Sequence, residues 1–250
     1  MNGGSTIDAI LILGAGQGSR LKPLTNNSPK PLLSINAKGE TIVGRLLSQI
    51  RQAFPRASIF MNFNSLPEIV VEYMARVSTN LRPELIYERI RLGPTKSVVE
   101  FSKLNYKDIL VINGDLVLSN TEFTRMSQAI DVPNKAFVVV HRRKKEDARS
   151  QVNIDANGFV TSIMELTEVG NHEFGSSFEE EVLSLSGIYK FPTNITRDYI
   201  AQHEEPLSPK LIEFWLSQIE VKSFEWDDLR YSIDSLETLT RARMQIEKEL

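Results

Sequence analysis

A glycine-rich segment follows the first apolar run of the chain, which spans residues 7–13. Gly14, Gly16 and Gly18 alternate with other residues in the order Leu-Gly-Ala-Gly-Gln-Gly-Ser-Arg. Because glycine has no Cβ, the backbone N–H groups of such a segment can approach a phosphate group closely. The segment therefore predicts a site for a phosphorylated ligand.

Two basic residues lie just after these glycines. Arg20 ends the segment, and Lys30 stands between Pro29 and Pro31. A lysine on such stiff backbone loses less entropy when it engages a phosphate. A nucleoside triphosphate carries roughly four negative charges, and nucleotidyl transfer depends mainly on positioning and charge stabilisation. Arg20 and Lys30 therefore have the chemistry needed to bind such a ligand.

Two common phosphate-binding patterns do not fit this segment. The dinucleotide fingerprint G-x-G-x-x-G opens directly into a helix, but here the third glycine, Gly18, comes one residue early. Pro23, Pro29 and Pro31 also prevent an α-helix over the following residues. The P-loop pattern requires a Gly-Lys pair, which is absent beside Arg20. A dinucleotide-dependent oxidoreductase and a P-loop protein are thus disfavoured.

An acidic residue follows the apolar run at residues 109–113, in the order Gly114-Asp115. Open α/β sheets bind their ligands beyond the carboxyl ends of the strands. We therefore expect Asp115 to face the ligand site. The alternative is an ordinary aspartate in a turn.

Residues 14–33 resemble the signature of the sugar-phosphate nucleotidyltransferase family, G-x-G-S/T-R-L-x-P-L-T-x-x-x-P-K-P-L-L. The resemblance implies that Arg20 and Lys30 neutralise the phosphates of a nucleotide. The family has a second signature, Gly-Asp, whose aspartate coordinates Mg²⁺, and the resemblance implies this role for Asp115. The glycine loop that wraps the nucleotide would comprise Leu13, Gly14, Ala15, Gly16, Gly18 and Ser19.

A second carboxylate is expected late in the chain. Ile233-Asp234-Ser235 resembles the D-I-D-T-P-E ending of the family, which implies that Asp234 shares Mg²⁺ with Asp115. Mg²⁺ prefers oxygen ligands and keeps several waters, so two carboxylates and an α-phosphate oxygen form a sensible set. Alternatively, Asp234 forms a helix-capping box with Glu237. Asp227 and Asp228 are the other candidates for the second metal ligand.

The segment that would read the nucleobase matches the family only in part. Glu88 and Gly93 have the spacing of the family's acidic or amide residue followed by Leu-Gly-Thr-Ala-Gly. Pro94-Thr95-Lys96 departs from that pattern, which leaves the preferred base open. The alternative for Glu88 is an exposed glutamate at a strand end.

The acceptor half resembles the family less. Sugar-specific members carry Tyr-Gly and Glu-Lys-Pro where this chain has Ser150-Gln151 and Glu-Leu-Thr at residues 165–167, although Gly187-Ile188-Tyr189 keeps the family's G-I-Y strand. The acceptor is therefore left open between a hexose 1-phosphate and an amine phosphate such as phosphocholine. The aromatic residues that would either line a cation pocket or pack in the core are Trp215, Trp226, Tyr189 and Phe214.

These residues predict a Mg²⁺-dependent nucleotidyltransferase that joins a nucleoside monophosphate from an NTP to a small phosphorylated acceptor and releases pyrophosphate. A sugar 1-phosphate is the favoured acceptor. One alternative is a cytidylyltransferase acting on phosphocholine or another non-sugar phosphate. Another is a catalytically silent nucleotide-sugar sensor, although such a protein would tend to lose Arg20, Lys30 or an aspartate, and all are present.

Apolar runs alternate with helical patterns in the first half, which predicts a doubly wound, Rossmann-like α/β fold with a mixed, mostly parallel sheet. In the second half we expect further strands to add a mixed edge, with a hairpin at Asn157-Gly158. The predicted strands are 7–13, 57–61, 84–87, 109–113, 136–141, 152–155, 160–164 and 182–190. The predicted helices are 42–54, 67–77, 96–104, 196–203, 210–218 and 236–250.

We expect one domain over residues 1–250, because no linker or repeat divides the chain. Residues 1–135 would form its nucleotide-binding half, and residues 136–250 a smaller acceptor-binding β/α half.

The composition excludes several classes of function. A net charge of -3 gives no general attraction to nucleic acid or to an acidic membrane, and the absence of cysteine excludes disulfides and thiolate chemistry. No apolar run reaches the roughly 18 residues of a membrane span, and no basic segment precedes the first run as in a signal peptide. We therefore expect a cytoplasmic protein without nucleic-acid or membrane partners, either monomeric or homo-oligomeric.

Overall fold

The computed structural model describes residues 7–132, 135–166, 180–201, 209–228 and 230–249. Its main sheet has seven strands, in the spatial order β10, β6, β9, β4, β1, β2 and β3. In chain order these are β1 (Ala9–Leu13), β2 (Ser58–Phe63), β3 (Glu84–Tyr87), β4 (Asp108–Asn113), β6 (Ala136–Lys144), β9 (Glu181–Pro192) and β10 (Val221–Glu225). Within the described residues, no helix is long and apolar enough to cross a bilayer.

The sheet is mixed and mostly parallel, as the sequence predicts. Strand β9 runs antiparallel to both of its neighbours, β4 and β6, whereas the other pairs are parallel. The later strands were expected only to extend one edge. Instead β9 pairs directly with β4, so the strands of the second half adjoin the strands that carry the glycine-rich loop and Asp115.

Two small antiparallel ladders accompany the main sheet. Strand β5 (Leu116–Leu118) pairs with β11 (Arg230–Ser232), and β7 (Ser150–Ile154) pairs with β8 (Val160–Glu165). The β7–β8 hairpin turns at Gly158, whose φ of +77° suits glycine, and this confirms the predicted hairpin. Strands β5, β10 and β11 were not predicted. With three residues each, β5 and β11 are too short to show a hydrophobic period.

Most of the predicted helices are present, and one is wrong. The helices are α1 (Ile42–Ala53), α2 (Pro67–Arg76), α3 (Pro94–Ser102), α4 (Asn120–Ala129), α5 (Thr193–Thr196), α6 (Pro209–Leu216) and α7 (Leu236–Glu249). The helix predicted over residues 196–203 is not formed within the described residues, because α5 ends at Thr196; residues 202–203 lie outside them. The β-branched residues of α5 are weak helix formers. Helix α4 was missed, although Ser119 caps it by accepting a hydrogen bond from Glu122 N, a capping-box signal.

Alternating side chains of the strands build two apolar layers. On β1, Ile10 and Ile12 pack with α1 and α4 on one face, whereas Ala9 and Leu11 pack with α3 and α6 on the other. A third cluster joins α7 to residues 19–35, here called the proline-containing segment, and to β5 and β11. The final helix therefore returns to the first half of the chain.

The proline-containing segment has no α-helix, as its prolines predict. It forms three short 3-10 turns, at Ser19–Leu21, Leu24–Asn26 and Lys30–Leu32. These turns bring Lys30 back beneath the glycine-rich loop, where its Cβ would lie 3.3 Å from a Cβ placed on Gly18.

A buried cation stabilises the centre of the sheet. Lys190 on β9 is fully buried, and its Nζ donates hydrogen bonds to the carbonyl oxygens of Val132 (2.8 Å) and Lys135 (3.0 Å). The same Nζ lies 3.2 Å from Asp108 Oδ1. The charge thus satisfies three acceptors on segments that flank β9.

We expect Lys190→Met to lower the free energy of unfolding by about 3 kcal/mol, since the acceptors lose their buried partner. Urea denaturation measures this difference. Lys103→Met is the control, because Lys103 pairs with Glu100 on the surface and should change stability by less than about 0.5 kcal/mol. Equal losses in the two variants would contradict the role given to Lys190.

Candidate active site

A cavity of about 320 Å³ lies beyond the carboxyl ends of β1, β2 and β4. This is where an open α/β sheet is expected to bind its ligand, and the volume is that of a small-molecule site. The cavity is lined by Leu13, Gly14, Ala15, Gly16, Lys30, Pro31, Asn62, Glu88, Arg91, Gly93, Pro94, Ser97, Asn113, Gly114 and Asp115.

Most of the predicted site residues meet at this cavity. Those that line it are Leu13, Gly14, Ala15, Gly16, Lys30, Glu88, Gly93 and Asp115. Gly18, Ser19, Arg20 and Asp234 are not among the lining residues. Gly18 has a φ of +61° and turns the chain into the Ser19–Leu21 turn, with its carbonyl accepting a hydrogen bond from Thr25 Oγ1 (2.8 Å).

The two inner glycines of the loop have different reasons to lack a side chain. Gly14 lies against β2, and its N–H donates to Asn62 Oδ1 at 2.8 Å. A Cβ on Gly14 would stand 2.6 Å from Met61 Cε and 2.7 Å from the Asn62 carbonyl oxygen. Nothing lies within 4 Å of a Cβ placed on Gly16. Packing therefore requires glycine at Gly14, whereas Gly16 leaves open space beside the cavity.

The carboxylate of Glu88 is buried and ties the cavity wall together. Its Oε1 accepts hydrogen bonds from Asn62 Nδ2 (2.7 Å) and Ser97 Oγ (2.5 Å), and its Oε2 accepts one from Leu92 N (3.2 Å). The alternative of an exposed glutamate is therefore wrong. Through Asn62, Glu88 is connected to the N–H of Gly14. Its role in reading the base stays a prediction.

An ion pair joins the proline-containing segment to the end of β4. Lys30 Nζ lies 2.6 Å from Asp115 Oδ2, and Ser232 Oγ donates to the same oxygen at 3.3 Å. Asp115 Oδ1 is buried and has no hydrogen-bond partner among the described residues. Such an oxygen is costly unless a ligand satisfies it. Asp115 Oδ1 is therefore a pre-oriented acceptor suited to a cation such as Mg²⁺.

A backbone hydrogen bond brings the chain segment of Asp234, the second predicted carboxylate, next to Asp115. The N–H of Ile233 donates to the carbonyl oxygen of Asp115 at 2.9 Å, and Asp234 is the following residue. Arg20 Nη1 lies 3.6 Å from Asp234 Oδ2, at an exposed position. Two carboxylates thus leave adjacent chain segments, and the described part of the chain holds no group of three metal-ligating side chains. Two oxygen donors remain sufficient for Mg²⁺, which keeps several waters.

The capping box of Asp234 with Glu237 is not formed, and the other candidate metal ligands are surface residues. Helix α7 begins after Ser235, whose Oγ accepts from Thr238 N at 3.2 Å, so Ser235 is the capping residue and Asp234 is not. Glu237 pairs instead with Arg241. Asp227 is exposed and pairs with Arg125 at 3.0 Å, and Asp228 is exposed as well.

Three of the four aromatic residues proposed for a cation pocket are buried in the core, and Phe214 is half-buried against Tyr199. Trp215 is fully buried against Phe191 and donates from Nε1 to Thr196 Oγ1. Trp226 belongs to the apolar layer on the other face of the sheet, so the two tryptophans cannot line one pocket. Tyr189 is buried as well, and desolvation raises the pKa of its hydroxyl to about 12. The aromatic cation pocket is therefore wrong for these residues.

Several residues near the cavity were not predicted. Asn62, Arg91, Ser97 and Asn113 line it. Asn62 could have been found, because it is a polar residue within an otherwise apolar strand. The others depend on which segments the fold brings together, and the sequence carries no signal for that.

A polar group that the sequence did not predict lies on β6, β9 and β11. His141 Nδ1 bonds with Ser186 Oγ at 3.0 Å, and Arg230 Nη1 lies 3.4 Å from His141 Nε2. Burial lowers the pKa of His141 to about 3, and the charges of Arg230 and Arg143 act in the same direction. His141 is therefore neutral at neutral pH, with Nδ1 carrying the proton and Nε2 accepting from Arg230.

The chain belongs to the nucleotidyl transferase family, whose pattern matches residues 9–222. It is 27% identical over 187 residues to the bifunctional protein GlmU of Methanococcus vannielii, covering 74% of this chain and 40% of that protein. It is 29% identical over 167 residues to the mannose-1-phosphate guanylyltransferase of Mycobacterium tuberculosis, covering 65% and 45%. The chain thus spans about two fifths of the length of the GlmU protein that it matches.

Solved structures support the same fold. The crystal structure of a UDP-glucose pyrophosphorylase complexed with UDP-glucose superposes with a TM-score of 0.75, covering 98% of this chain and 100% of that chain at 14% identity. The family resemblance and the Rossmann-like fold predicted from the sequence are therefore confirmed.

We expect Gly14→Ala to lower the free energy of unfolding by about 1–3 kcal/mol, because the added methyl group overlaps Met61 and the Asn62 backbone. Gly16→Ala is the matched control and should leave stability unchanged, since its Cβ meets nothing. Urea unfolding compares the two variants. Equal stability of both variants would show that the loop does not pack on β2 in this way.

The lowered pKa of His141 predicts a dependence of stability on pH. The unfolded chain binds a proton near pH 6.5, whereas the folded chain does not until about pH 3, so stability falls as pH decreases through this window. Between pH 7 and pH 5 the loss should be about 1–2 kcal/mol. His141→Gln should show a smaller loss over that interval in urea unfolding, and the same stability change as the wild type between pH 7 and pH 8. Identical losses at low pH would contradict the assignment.

Proposed function

We propose that this protein is a Mg²⁺-dependent nucleotidyltransferase that transfers a nucleoside monophosphate from an NTP to a sugar 1-phosphate and releases pyrophosphate. The observation that supports it most directly is the Lys30–Asp115 pair at the floor of the cavity. It sets a phosphate-binding cation beside a carboxylate that has an unsatisfied buried oxygen. A nucleotide and its Mg²⁺ require this combination of charges.

In this proposal the nucleotide occupies the cavity. Residues 13–16 present backbone to its phosphates, and Gly93, the residue before α3, also lines the cavity. Pro94, the first residue of α3, lines the cavity as well, so the N-terminal end of this helix borders the ligand. Glu88 holds Asn62 and the loop in position, and we propose that it also accepts a hydrogen bond from the base. The names of the relatives refer to guanylyl transfer and to UDP-glucose, so they do not indicate one base.

The reaction is a single in-line displacement. An oxygen of the acceptor phosphate forms a bond to the α-phosphorus, the bond between the α-phosphorus and the bridging oxygen to the β-phosphate breaks, and pyrophosphate leaves with that electron pair. A phosphate dianion is already a competent nucleophile, so no side chain need form a covalent intermediate. In this proposal Lys30 and Arg20 move from their carboxylate partners onto the phosphates and stabilise the charge of the leaving group.

The metal fits the same residues. Asp115 and Asp234 would hold Mg²⁺, which when bound neutralises the α-phosphate and makes its phosphorus more electrophilic. Lys30 then has phosphate oxygens to engage in place of Asp115. Arg20, which is 64% exposed, can likewise leave Asp234 at little cost.

We propose that residues 136–250 bind the acceptor. The β5–β11 ladder carries Asp234 from this half to Asp115 in the other. A sugar 1-phosphate is favoured over phosphocholine, because mannose 1-phosphate and UDP-glucose occur in the names of similar proteins. In addition, Trp215, Trp226 and Tyr189, which would hold a quaternary amine, are buried in the core. A silent sensor is disfavoured, because the two ion pairs at the site use the residues that such a protein would lose.

Pyrophosphate release by the purified full chain tests the proposal. CTP, UTP, GTP, ATP and dTTP are each combined with Mg²⁺ and with hexose 1-phosphates or phosphocholine. We expect release with one NTP and a hexose 1-phosphate, and no release when the metal is chelated. Pyrophosphate release with phosphocholine but with no hexose 1-phosphate would show that the acceptor is phosphocholine and not a sugar 1-phosphate. Nucleotide binding without release across the panel would support the sensor.

We expect Asp115→Asn and Lys30→Met each to reduce turnover by about 10²–10³, because each removes charge stabilisation from the transition state. Asp227→Asn is the matched control, since that carboxylate pairs with Arg125 on the surface. Steady-state pyrophosphate release compares the three variants. Near-normal turnover in Asp115→Asn would contradict its assignment as a metal ligand.

A further inference from the structure

Strand β11 brings a second cation to Asp115 from outside the nucleotide cavity. Alternate residues of a strand share a face, so Arg230 and Ser232 lie on the same side of β11. Ser232 Oγ contacts Asp115 Oδ2 at 3.3 Å. Arg230 therefore lies two residues from Ser232, on the same face of β11 as this contact with the carboxylate proposed to hold the metal. Neither Arg230 nor Ser232 lines the nucleotide cavity.

A bulge in β9 holds the guanidinium in place. The pairing of β6 with β9 shifts between Val138 and Val140, so extra residues of β9 stand opposite Val139. One of them, Gly187, has a φ of +80°, and a Cβ there would lie 2.6 Å from Asn113 Nδ2. The carbonyl oxygen of Ser186 accepts hydrogen bonds from Arg230 Nε (3.1 Å) and Nη2 (2.6 Å).

His141 supports Arg230 without adding charge. Its Nε2 accepts from Nη1 of Arg230 while its Nδ1 donates to Ser186 Oγ. A protonated His141 would present an N–H to the guanidinium and repel it. The lowered pKa of His141 keeps the imidazole neutral, so it can accept a hydrogen bond from the arginine at neutral pH.

The charged groups near Arg230 favour the binding of an anion. Among the described residues, no carboxylate lies within ion-pair distance of its guanidinium. The charged groups that affect it are Asp115, which already pairs with Lys30, and Arg143, which repels it. Burial lowers the pKa of Arg230 to about 10, so it remains protonated at neutral pH. A half-buried cation that the described residues leave without an ion-pair partner gains stability when an anion binds beside it.

We propose that Arg230, held by the Ser186 carbonyl and by His141 Nε2, binds the phosphate group of the acceptor beside Asp115. This inference rests on the proposed function and deepens it. Two of the five N–H groups of the guanidinium engage the Ser186 carbonyl and one engages His141. The remaining N–H groups on Nη1 and Nη2 are spaced to bind two oxygens of one tetrahedral dianion. The acceptor is therefore a phosphomonoester or phosphonate dianion, and a carboxylate of single charge binds less well.

Tungstate, a heavy tetrahedral dianion, tests the site without turnover. Crystals of the full chain are soaked in tungstate, and the tungsten position is found by anomalous scattering. We expect a peak within hydrogen-bond distance of Arg230 in the wild type. The peak should be lost in Arg230→Met and kept in Arg142→Met, because Arg142 on the same strand as His141 pairs with Glu225 on the surface. Absence of the wild-type peak, or its persistence in Arg230→Met, would overturn the proposal.

Kinetics separate acceptor binding from a structural role. With the acceptor identified in the pyrophosphate assay, we expect Arg230→Met to raise the KM for the acceptor about 10- to 100-fold and to leave the KM for the NTP unchanged. Arg230→Lys keeps the positive charge but loses the paired N–H groups of the guanidinium, so its KM for the acceptor should lie between those of Arg230→Met and the wild type. This variant also provides the test if Arg230→Met does not fold. Equal changes in both KM values, or an unchanged KM for the acceptor, would overturn the assignment.

The two proposals fail in different ways. A chain that releases no pyrophosphate with any acceptor contradicts the proposed transferase reaction, while a tungsten peak at Arg230 would still support the anion site. If Arg230→Met releases pyrophosphate with the same KM for the acceptor as the wild type, the proposed reaction is supported and Arg230 does not bind the acceptor.

Discussion

The ion pair between Lys30 and Asp115 is the contact on which the site depends. It joins residues 85 positions apart in the chain, one in a turn fixed by two prolines and the other at the end of a buried strand. The lysine and aspartate side chains are only 13% and 22% exposed, so their attraction is less screened than that of a surface pair. The pair leaves one aspartate oxygen without a partner among the described residues. The Oδ1 atom of Asp115 can therefore bind a cation, although the positively charged Lys30 lies on the other oxygen of the same carboxylate.

The other parts of the site are positioned by contacts that converge on this pair. Asn62 and Glu88 hold the glycine-rich loop above Lys30. The β5–β11 ladder attaches Ser232 and Asp234 to Asp115 from the other side. Helix α7 packs on the proline-containing segment and on β5 and β11 at once, so it fixes the separation between the two sides. A nucleotide site and a neighbouring anion site can then share one carboxylate.

The position of β9 explains how the second half of the chain reaches the site. Because β9 runs antiparallel between β4 and β6, its bulge lies next to the end of β4 that carries Asn113. A regular strand would pair all of its carbonyl groups in the ladder. The bulge releases the Ser186 carbonyl, which then orients Arg230. An irregularity in one strand thus determines the direction of a cation on another.

The sequence by itself determined the features that depend on local chemistry. The alternation of apolar runs and helical patterns indicated the doubly wound fold, because strand and helix periods are properties of neighbouring residues. The glycines, the prolines around Lys30 and the Gly-Asp after β4 indicated where a phosphorylated ligand would bind. The same reasoning failed for residues 196–203, where the helical spacing continues beyond the short α5.

Only the tertiary structure decided which residues meet. Strands β5 and β11 are three residues each and exist because they pair with one another, so no pattern in either segment reveals them. The burial of Glu88 and of the aromatic residues, the capping of α7 by Ser235, and the approach of Arg230 to Asp115 all follow from contacts between distant segments. These contacts are set by packing and by hydrogen bonds that form only when the chain is folded. A sequence read one segment at a time contains no record of them.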